Sequence, residues 1–145
     1  MKTPKLLLFS LALLSRAVAV DAPPKEPVLL SHAQVDDAFA KGLPMLINTS
    51  YKIQGGHRVM PGTVEQHEHD TDILYVTEGT ATFITGGTIE NPKTTAVGEI
   101  RGDKIIGGVA HKLTKGDIIV IPSGVPHWFS EVNGTFLYLI VKITK

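Results

Sequence analysis

The sequence of 145 residues contains no cysteine. This absence excludes disulfide bonds, a thiolate metal site and a thiol nucleophile, so the fold must be held together by its core alone. The sequence also lacks a net charge, because 14 Lys and Arg residues balance 14 Asp and Glu residues. Nothing in this balance points to nucleic acid as a partner, since nucleic-acid-binding proteins carry an excess of positive charge.

The composition that is present indicates one globular domain. Hydrophobic residues make up 43% and charged residues 19% of the chain, which is typical of folded proteins, and this length leaves room for a single core. The 14 glycines and 9 prolines are expected where many short strands are joined by tight turns.

The first 19 residues have the features of a secretory leader. Lys2 and Lys5 give a basic start, Leu6 to Leu14 form an apolar run, and Ala17-Val18-Ala19 supplies small residues for cleavage. The apolar run is too short to span a bilayer comfortably. We therefore expect a signal peptide over residues 1–19, cleaved near Ala19, and a secreted or periplasmic protein without a remaining membrane segment. Cleavage leaves 11 basic and 14 acidic residues, a mildly acidic mature chain.

Residues 20–44 are predicted to form an N-terminal extension that contains one short helix. Ser31 and Gln34 have the spacing of a capping box at the start of a helix, and Gly42 is the residue expected to end it.

Beyond residue 44 the pattern changes to short segments rich in Val, Ile, Thr, Tyr and Phe, separated by glycine-containing turns such as Gly55-Gly56. The predicted strands are 45–53, 57–60, 73–77, 80–85, 109–114, 117–121, 126–131 and 135–143. Residues 89–104 are predicted to form a surface loop. Many short strands with one N-terminal helix favour an all-β domain over residues 45–145, built as an antiparallel sandwich or barrel.

Three histidines are the strongest candidates for a metal site. His67 and His69 are separated by one residue, so on an extended strand both side chains point to the same face. His127 lies far along the chain, and Asp72, just before the strand at 73–77, is the carboxylate expected to complete the set. Neutral imidazole is the commonest protein ligand for Zn, Fe, Ni and Cu. Such a set leaves coordination positions open for water or substrate.

The segment around His127 resembles a motif of the cupin family. Residues 116–127, GDIIVIPSGVPH, match every fixed position of the second cupin motif, G-x5-P-x-G-x2-H, and residues 61–79, PGTVEQHEHDTDILYVTEG, resemble the first, G-x5-H-x-H-x3,4-E-x6-G. The resemblance covers about residues 55–143. It implies an antiparallel double-sheet jelly-roll barrel with one short N-terminal helix, holding one divalent metal ion (Fe, Mn, Ni, Zn or Cu).

The first motif fits in two ways. In the preferred register, His67 and His69 are the two motif histidines and Asp72 stands at the position of the family's glutamate. A turn or bulge must then direct Asp72 inward, because residue 72 differs in parity from residues 67 and 69. In the alternative register Glu65 takes the place of the first histidine and His67 that of the second, so that Glu65, His67, Asp72 and His127 are the ligands.

The resemblance implies two classes of function, and both stay open at this point. The chain is expected to be a metal-dependent enzyme of the dioxygenase, lyase or isomerase class that acts on a small oxygenated substrate. The alternative is a non-catalytic cupin module that binds a metal or a small molecule. One residue of the pair His57 and Arg58 should face into the barrel, and an inward Arg58 suits an anionic substrate. The sequence assigns no catalytic residue.

A homodimer is also expected. Cupins commonly pair through an outer sheet face, and the run from Phe136 to Val141 is apolar at both parities, which is more than one buried face needs. The alternative is that the N-terminal helix covers the second face.

Overall fold

The computed structural model describes residues 22–145, so the predicted signal peptide lies outside the described residues. Helix α1 spans His32–Lys41, and strands follow it. The strands are β1 (Pro44–Ile47), β2 (Tyr51–Arg58), β3 (Val64–His67), β4 (Asp70–Thr85), β5 (Thr88–Ile89), β6 (Lys93–Ala96), β7 (Glu99–Gly102), β8 (Ile105–Ile106), β9 (Val109–Thr114), β10 (Ile118–Ile121) and β11 (His127–Thr144). Within residues 22–145, no helix has the length and apolar character needed to cross a membrane.

Helix α1 begins and ends where the sequence predicts. Ser31 is its N-cap, and the Ser31 and Gln34 side chains form a capping box with each other's backbone N–H groups. Gly42 ends the helix in the left-handed conformation, at φ 68°, which a residue without Cβ adopts without strain. The helix packs on β2.

The long strands β4 and β11 run through the whole domain and connect its two sheets. The second half of β11 pairs with β2 and with the first half of β4, which in turn pairs with β10. The first half of β11 pairs with the second half of β4, which in turn pairs with β9. On the other side of β11, β3 pairs with β7 and β7 with β6. All these pairings are antiparallel, so the predicted all-β jelly-roll fold with one short N-terminal helix is confirmed.

Irregular pairing marks the point at which β11 passes from one sheet to the other. The register between β11 and β4 shifts between Asn133 and Leu137 and again between Leu137 and Tyr138. Such irregularities bend strands and increase their twist. The bend allows the inner faces of both sheets to enclose one core, which includes Val76, Phe83 and Phe136.

Several predictions about turns and loops are wrong. The predicted strands 73–77 and 80–85 form the single strand β4, and 126–131 and 135–143 form the single strand β11. The predicted loop 89–104 contains the hairpin of β6 and β7, whose exposed and largely polar first strand lacks the apolar alternation that identifies strands. Gly55 and Gly56 lie inside β2 and do not separate two strands. They serve close packing: a Cβ at Gly55 would lie 2.6 Å from the Ala38 backbone, and one at Gly56 would lie 2.5 Å from the Tyr138 ring.

Candidate metal centre

The jelly roll contains a cavity of about 390 Å³ whose wall carries charged side chains of both signs. The acidic residues of the wall are Glu65, Asp70, Asp72 and Glu99, and the basic ones are Lys52, Arg58, Arg101 and Lys142. The lining also contains uncharged and aromatic side chains, which are Gln54, Thr63, His67, Leu74, His127, Trp128, Phe129, Tyr138 and Ile140. A cavity of this size with a few convergent polar groups is the usual form of a small-molecule site.

Three strands bring four side chains of types that can bind metal ions to one point of this cavity. Glu65 and His67 lie two residues apart on β3 and therefore share a face. His127 begins β11 directly opposite Glu65 in the strand pairing. Asp72 lies on β4 with the same parity as the buried Leu74. His67, Asp72 and His127 are all buried, with 3%, 4% and 6% of their surface exposed.

The distances between these groups suit a metal ion. His67 Nε2 lies 3.5 Å from Glu65 Oε2 and 3.5 Å from Asp72 Oδ2, and His127 Nε2 lies 3.8 Å from Asp72 Oδ2. One ligand atom from each of Glu65, His67 and His127 lies within 4.8 Å of the others. Ligands at about 2.0–2.2 Å from one ion are separated by roughly 3–4 Å, and the contacts of the two imidazoles with these carboxylates lie in that range.

Both histidines are oriented by groups outside the cluster. His67 Nδ1 donates to Glu99 Oε1 at 2.8 Å, because an ionised carboxylate can only accept. His127 Nδ1 donates to the backbone oxygen of Val125 at 3.1 Å. Each ring therefore presents the unprotonated Nε2 to the centre of the cluster. This arrangement, with the outer nitrogen held by a carboxylate or carbonyl, is the one that metal-binding histidines adopt.

The ammonium group of Lys142 also lies in the cluster. Lys142 Nζ donates to both Asp72 oxygens, at 2.8 and 2.6 Å, and lies 2.7 Å from His67 Nε2. Lys142 reaches this point because it has the same parity on β11 as the buried Phe136, Tyr138 and Ile140. The protein therefore supplies a cation of its own to the buried Asp72 carboxylate.

Arg58 points into the cavity beside the cluster. Its Nε donates to the Tyr138 hydroxyl at 3.0 Å, and its guanidinium lies over the Phe129 ring at 4.7 Å from the ring centroid. Nη2 lies 3.4 Å from Glu65 Oε1. The neighbouring His57 faces outward, where its Nδ1 contacts the backbone oxygens of Phe39 and Ala40 at the end of α1. The side chain at 58 is therefore the inward one of the pair.

The electrostatics of the cluster keep Glu65 ionised. Burial alone raises the pKa of Glu65, but the contact with His67 and the positive charges of Arg101 and Arg58 outweigh burial and lower the pKa to about 2. Burial lowers the pKa of His127, so this imidazole stays neutral and available as a ligand.

His67 is in a more acidic environment. Burial and the charge of Lys142 lower the pKa of His67, but the contact with Glu65, the hydrogen bond with Glu99 and the charge of Asp72 outweigh them and raise it. A buried imidazole surrounded by three carboxylates is a favourable place for positive charge, whether it is carried by a proton or by a metal ion.

Of the four residues expected as ligands in the preferred register, the structure brings His67, Asp72 and His127 together and leaves His69 outside. Strand β3 ends at His67, the chain bends, and β4 starts at Asp70. The bend restores the inward direction of Asp72 but turns the exposed His69 side chain away from the cavity and towards Gly98. The fourth carboxylate or imidazole of the cluster is Glu65, as in the alternative register.

Three charged residues of the site were not assigned from the sequence. Glu99 and Arg101 lie on β7, inside the predicted loop, and their side chains are joined by an ion pair of 2.9 Å. No motif marks this polar hairpin. The sequence does not mark Lys142 either, because the run from Phe136 to Val141 is apolar at both parities and does not show which face is inward.

The fold is that of a cupin. The sequence model of the family described as Cupin matches residues 61–144, which is more than half of the chain. The protein therefore belongs to the cupin family. The comparison with curated protein sequences found no match.

Solved structures show the same fold at low sequence identity. The BH2720 protein of Bacillus halodurans is 14% identical, with a TM-score of 0.61 and 87% of each chain covered. A hydroquinone 1,2-dioxygenase, PnpCD, in complex with Cd²⁺ and 4-hydroxybenzonitrile is 15% identical, with a TM-score of 0.56 and 87% of this chain and 83% of that chain covered. The TT1209 protein of Thermus thermophilus is 16% identical, with a TM-score of 0.52 over 71% of this chain and 81% of that chain.

The low pKa of Glu65 predicts a pH-dependent stability. Because the pKa falls from 4.5 to about 2 on folding, the ionised carboxylate stabilises the folded state above pH 4.5, and this contribution is lost as the pH falls towards 2. Glu65→Gln should therefore lower the free energy of unfolding of the metal-free protein by up to about 3 kcal/mol at neutral pH. The difference between variant and wild type should shrink as the pH approaches about 3. Urea unfolding of both proteins at neutral pH and at about pH 3 measures this difference. An equal difference at the two pH values would contradict the lowered pKa of Glu65.

Proposed function

We propose that this protein is a metal-dependent enzyme that holds one divalent metal ion between Glu65, His67, Asp72 and His127 and acts on a small oxygenated acid in the adjoining cavity. The observation that carries the proposal is the convergence of two buried imidazole Nε2 atoms and two carboxylates at one wall of that cavity. Fe, Mn, Ni, Zn and Cu all accept such a donor set. The same fold is in complex with Cd²⁺ in the hydroquinone 1,2-dioxygenase, which supports a metal in this barrel.

The chemistry of the site divides between the ion and the protein. A metal ion bound here supplies a Lewis acid, or a centre for O₂ activation, to an oxygen ligand of the substrate. Glu99 keeps the Nδ1 proton of His67 on the outer nitrogen, and Val125 does the same for His127. These bonds fix both rings before any ligand binds, so little reorganisation is needed.

The proposed substrate class is based on two guanidinium groups in the cavity wall, those of Arg58 and Arg101. Arg58 is held in place by Tyr138 and Phe129, and Arg101 by Glu99. A guanidinium group binds a carboxylate through two parallel hydrogen bonds. We therefore propose that the substrate is a small carboxylate with a further oxygen for the metal, small enough for a cavity of about 390 Å³.

The enzyme proposal is tested by turnover. Metal-loaded protein is incubated with a panel of small hydroxy, keto and phenolic acids, with and without O₂, and products are identified by mass spectrometry. His127→Ala and Arg58→Met serve as paired variants. The proposal expects product formation that His127→Ala abolishes and that Arg58→Met weakens mainly by raising KM. Turnover that is unchanged in His127→Ala would contradict it.

A second candidate function is a binding module without turnover, and the position of Lys142 favours it. Its ammonium group neutralises Asp72 and contacts His67 without any added ion. Both side chains therefore have a cationic partner in the metal-free protein. This candidate predicts that small carboxylates bind in calorimetric titrations without being converted, and that removal of metal by a chelator leaves their affinity unchanged.

Export and dimerisation complete the proposal. The predicted leader at residues 1–19 supports a secreted or periplasmic protein, and N-terminal sequencing of the exported chain should give Val20 as the first residue.

The outer face of β4 and β10 carries Tyr75, Ile118 and Val120, each more than 40% exposed. This apolar face supports a homodimer. Ile118→Lys should convert a dimer to a monomer in light scattering, and a wild-type monomer would contradict the proposal.

A further inference from the structure

We propose that Lys142 and the divalent metal ion are alternative occupants of the same position, so that the lysine closes the metal site in the metal-free protein and lowers the affinity for metal. This inference rests on the proposed function, because it concerns the metal site defined there. It assigns Lys142 a role in setting the affinity of the site for metal.

The hydrogen-bonding capacity of His67 makes the two occupants exclusive. The Nδ1 proton of His67 is given to Glu99, so only the single lone pair of Nε2 is left to face the cluster. Lys142 Nζ uses that lone pair at 2.7 Å. A metal ion requires the same lone pair, so His67 cannot bind both cations at once.

Asp72 is shared in the same way. Lys142 Nζ lies within 2.8 Å of both of its carboxylate oxygens, and Asp72 is 4% exposed. A buried carboxylate left without a cation is strongly unfavourable. Lys142 can therefore leave only when another cation takes its place, and a metal ion gains access only by breaking this ion pair.

The surroundings give the displaced lysine a place to go. The side chain of Lys142 is 16% exposed, and it borders the cavity of about 390 Å³. Its flexible methylene chain can turn the ammonium group into this space without a change in the backbone of β11. Metal binding therefore exchanges one cation for another and leaves the fold unchanged.

The exchange is tested by removing the lysine. Isothermal titration with Zn²⁺ compares wild type with Lys142→Met, and with Lys142→Gln if the first variant folds poorly. In this variant Zn²⁺ no longer has to break the hydrogen bonds of Lys142 with Asp72 and His67. We therefore expect the variant to bind Zn²⁺ roughly 10- to 100-fold more tightly.

Lys52→Met is the matched control. Lys52 lies opposite Lys142 in the pairing of β2 with β11 and borders the same cavity, but among residues 22–145 no hydrogen bond joins it to Asp72 or His67. The Lys52→Met variant removes one positive charge from the same cavity wall but leaves the Lys142 ammonium group in place beside Asp72 and His67. The affinity should rise by at most about fivefold in this control.

A measurement on the wild-type chain follows the lysine directly. In NMR spectra with ¹³C-labelled lysine, the Cε resonance of Lys142 should move in step with Zn²⁺ saturation, whereas that of the exposed Lys112 should not. A wild type that binds Zn²⁺ while Lys142→Met binds no more tightly, or an unmoved Lys142 resonance at saturation, overturns this inference and leaves the metal site standing. If Lys142→Met binds Zn²⁺ and the wild type does not, the lysine occupies the metal position, which supports the inference. The same result overturns the proposed metal function of the native chain. Binding by neither overturns both.

Discussion

Replacing His67 with alanine is expected to weaken divalent-metal binding by more than about 100-fold, since even the partners that only orient a metal ligand account for 10- to 100-fold. His67 contributes a buried Nε2 that lies 3.5 Å from both Glu65 and Asp72. Its removal deletes the donor at the centre of the cluster. Metal content after dialysis, measured by elemental analysis, should fall from about one equivalent to near zero.

His69→Ala is the control for this variant. It removes the same side chain two residues away, but His69 is exposed and turned towards Gly98, so metal content and affinity should stay at the wild-type level. Circular dichroism checks that both variants are folded. If His69→Ala lost the metal and His67→Ala retained it, the cluster described above would not be the metal site.

The second large effect is expected in the core, at Phe83. Its side chain is 0% exposed, and its ring lies 4.5 Å from the Phe129 ring and 5.9 Å from the His127 ring, measured between centroids. Phe83→Ala removes a buried ring and leaves a cavity beside His127, which should lower the free energy of unfolding by about 3–5 kcal/mol. This is a large part of the stability of a typical domain.

Denaturant unfolding of the metal-free protein measures this loss. Val109→Ala, on the neighbouring β9, is the control, because Val109 is 62% exposed and its truncation should change the stability by no more than about 0.5 kcal/mol. A loss below about 1 kcal/mol for Phe83→Ala would mean that the two sheets do not enclose Phe83 as described.

The parts of this fold that could be predicted from the sequence depend on local chemistry. The Ser31–Gln34 box and Gly42 determine the ends of α1 because capping involves residues within one or two turns of each other. The motif around His127 identifies the family because its two glycines, Gly116 and Gly124, lie at positive φ in the turns on either side of β10. By contrast, Gly55 and Gly56 resemble turn residues in the sequence, and only the packing of Ala38 and Tyr138 against them explains why they lie in a strand.

The site was less predictable because its composition depends on one bend and on contacts distant in sequence. The sequence allowed two registers for the first motif, with either His69 or Glu65 beside His67. The bend after His67 decides that Glu65 faces inward. Glu99 joins the site through the pairing of β3 with β7, opposite His67, and nothing in a short polar hairpin indicates that pairing. Lys142 approaches Asp72 across 70 residues of sequence.

The most direct test of the central claim is a crystal structure of the protein loaded with Zn²⁺, with data collected on both sides of the zinc absorption edge. We expect one anomalous peak at about 2.0–2.2 Å from Nε2 of His67 and His127 and from carboxylate oxygens of Glu65 and Asp72. Lys142 Nζ should have moved away from His67. A peak at His69, or no peak between these four side chains at full Zn²⁺ saturation, would contradict the claim.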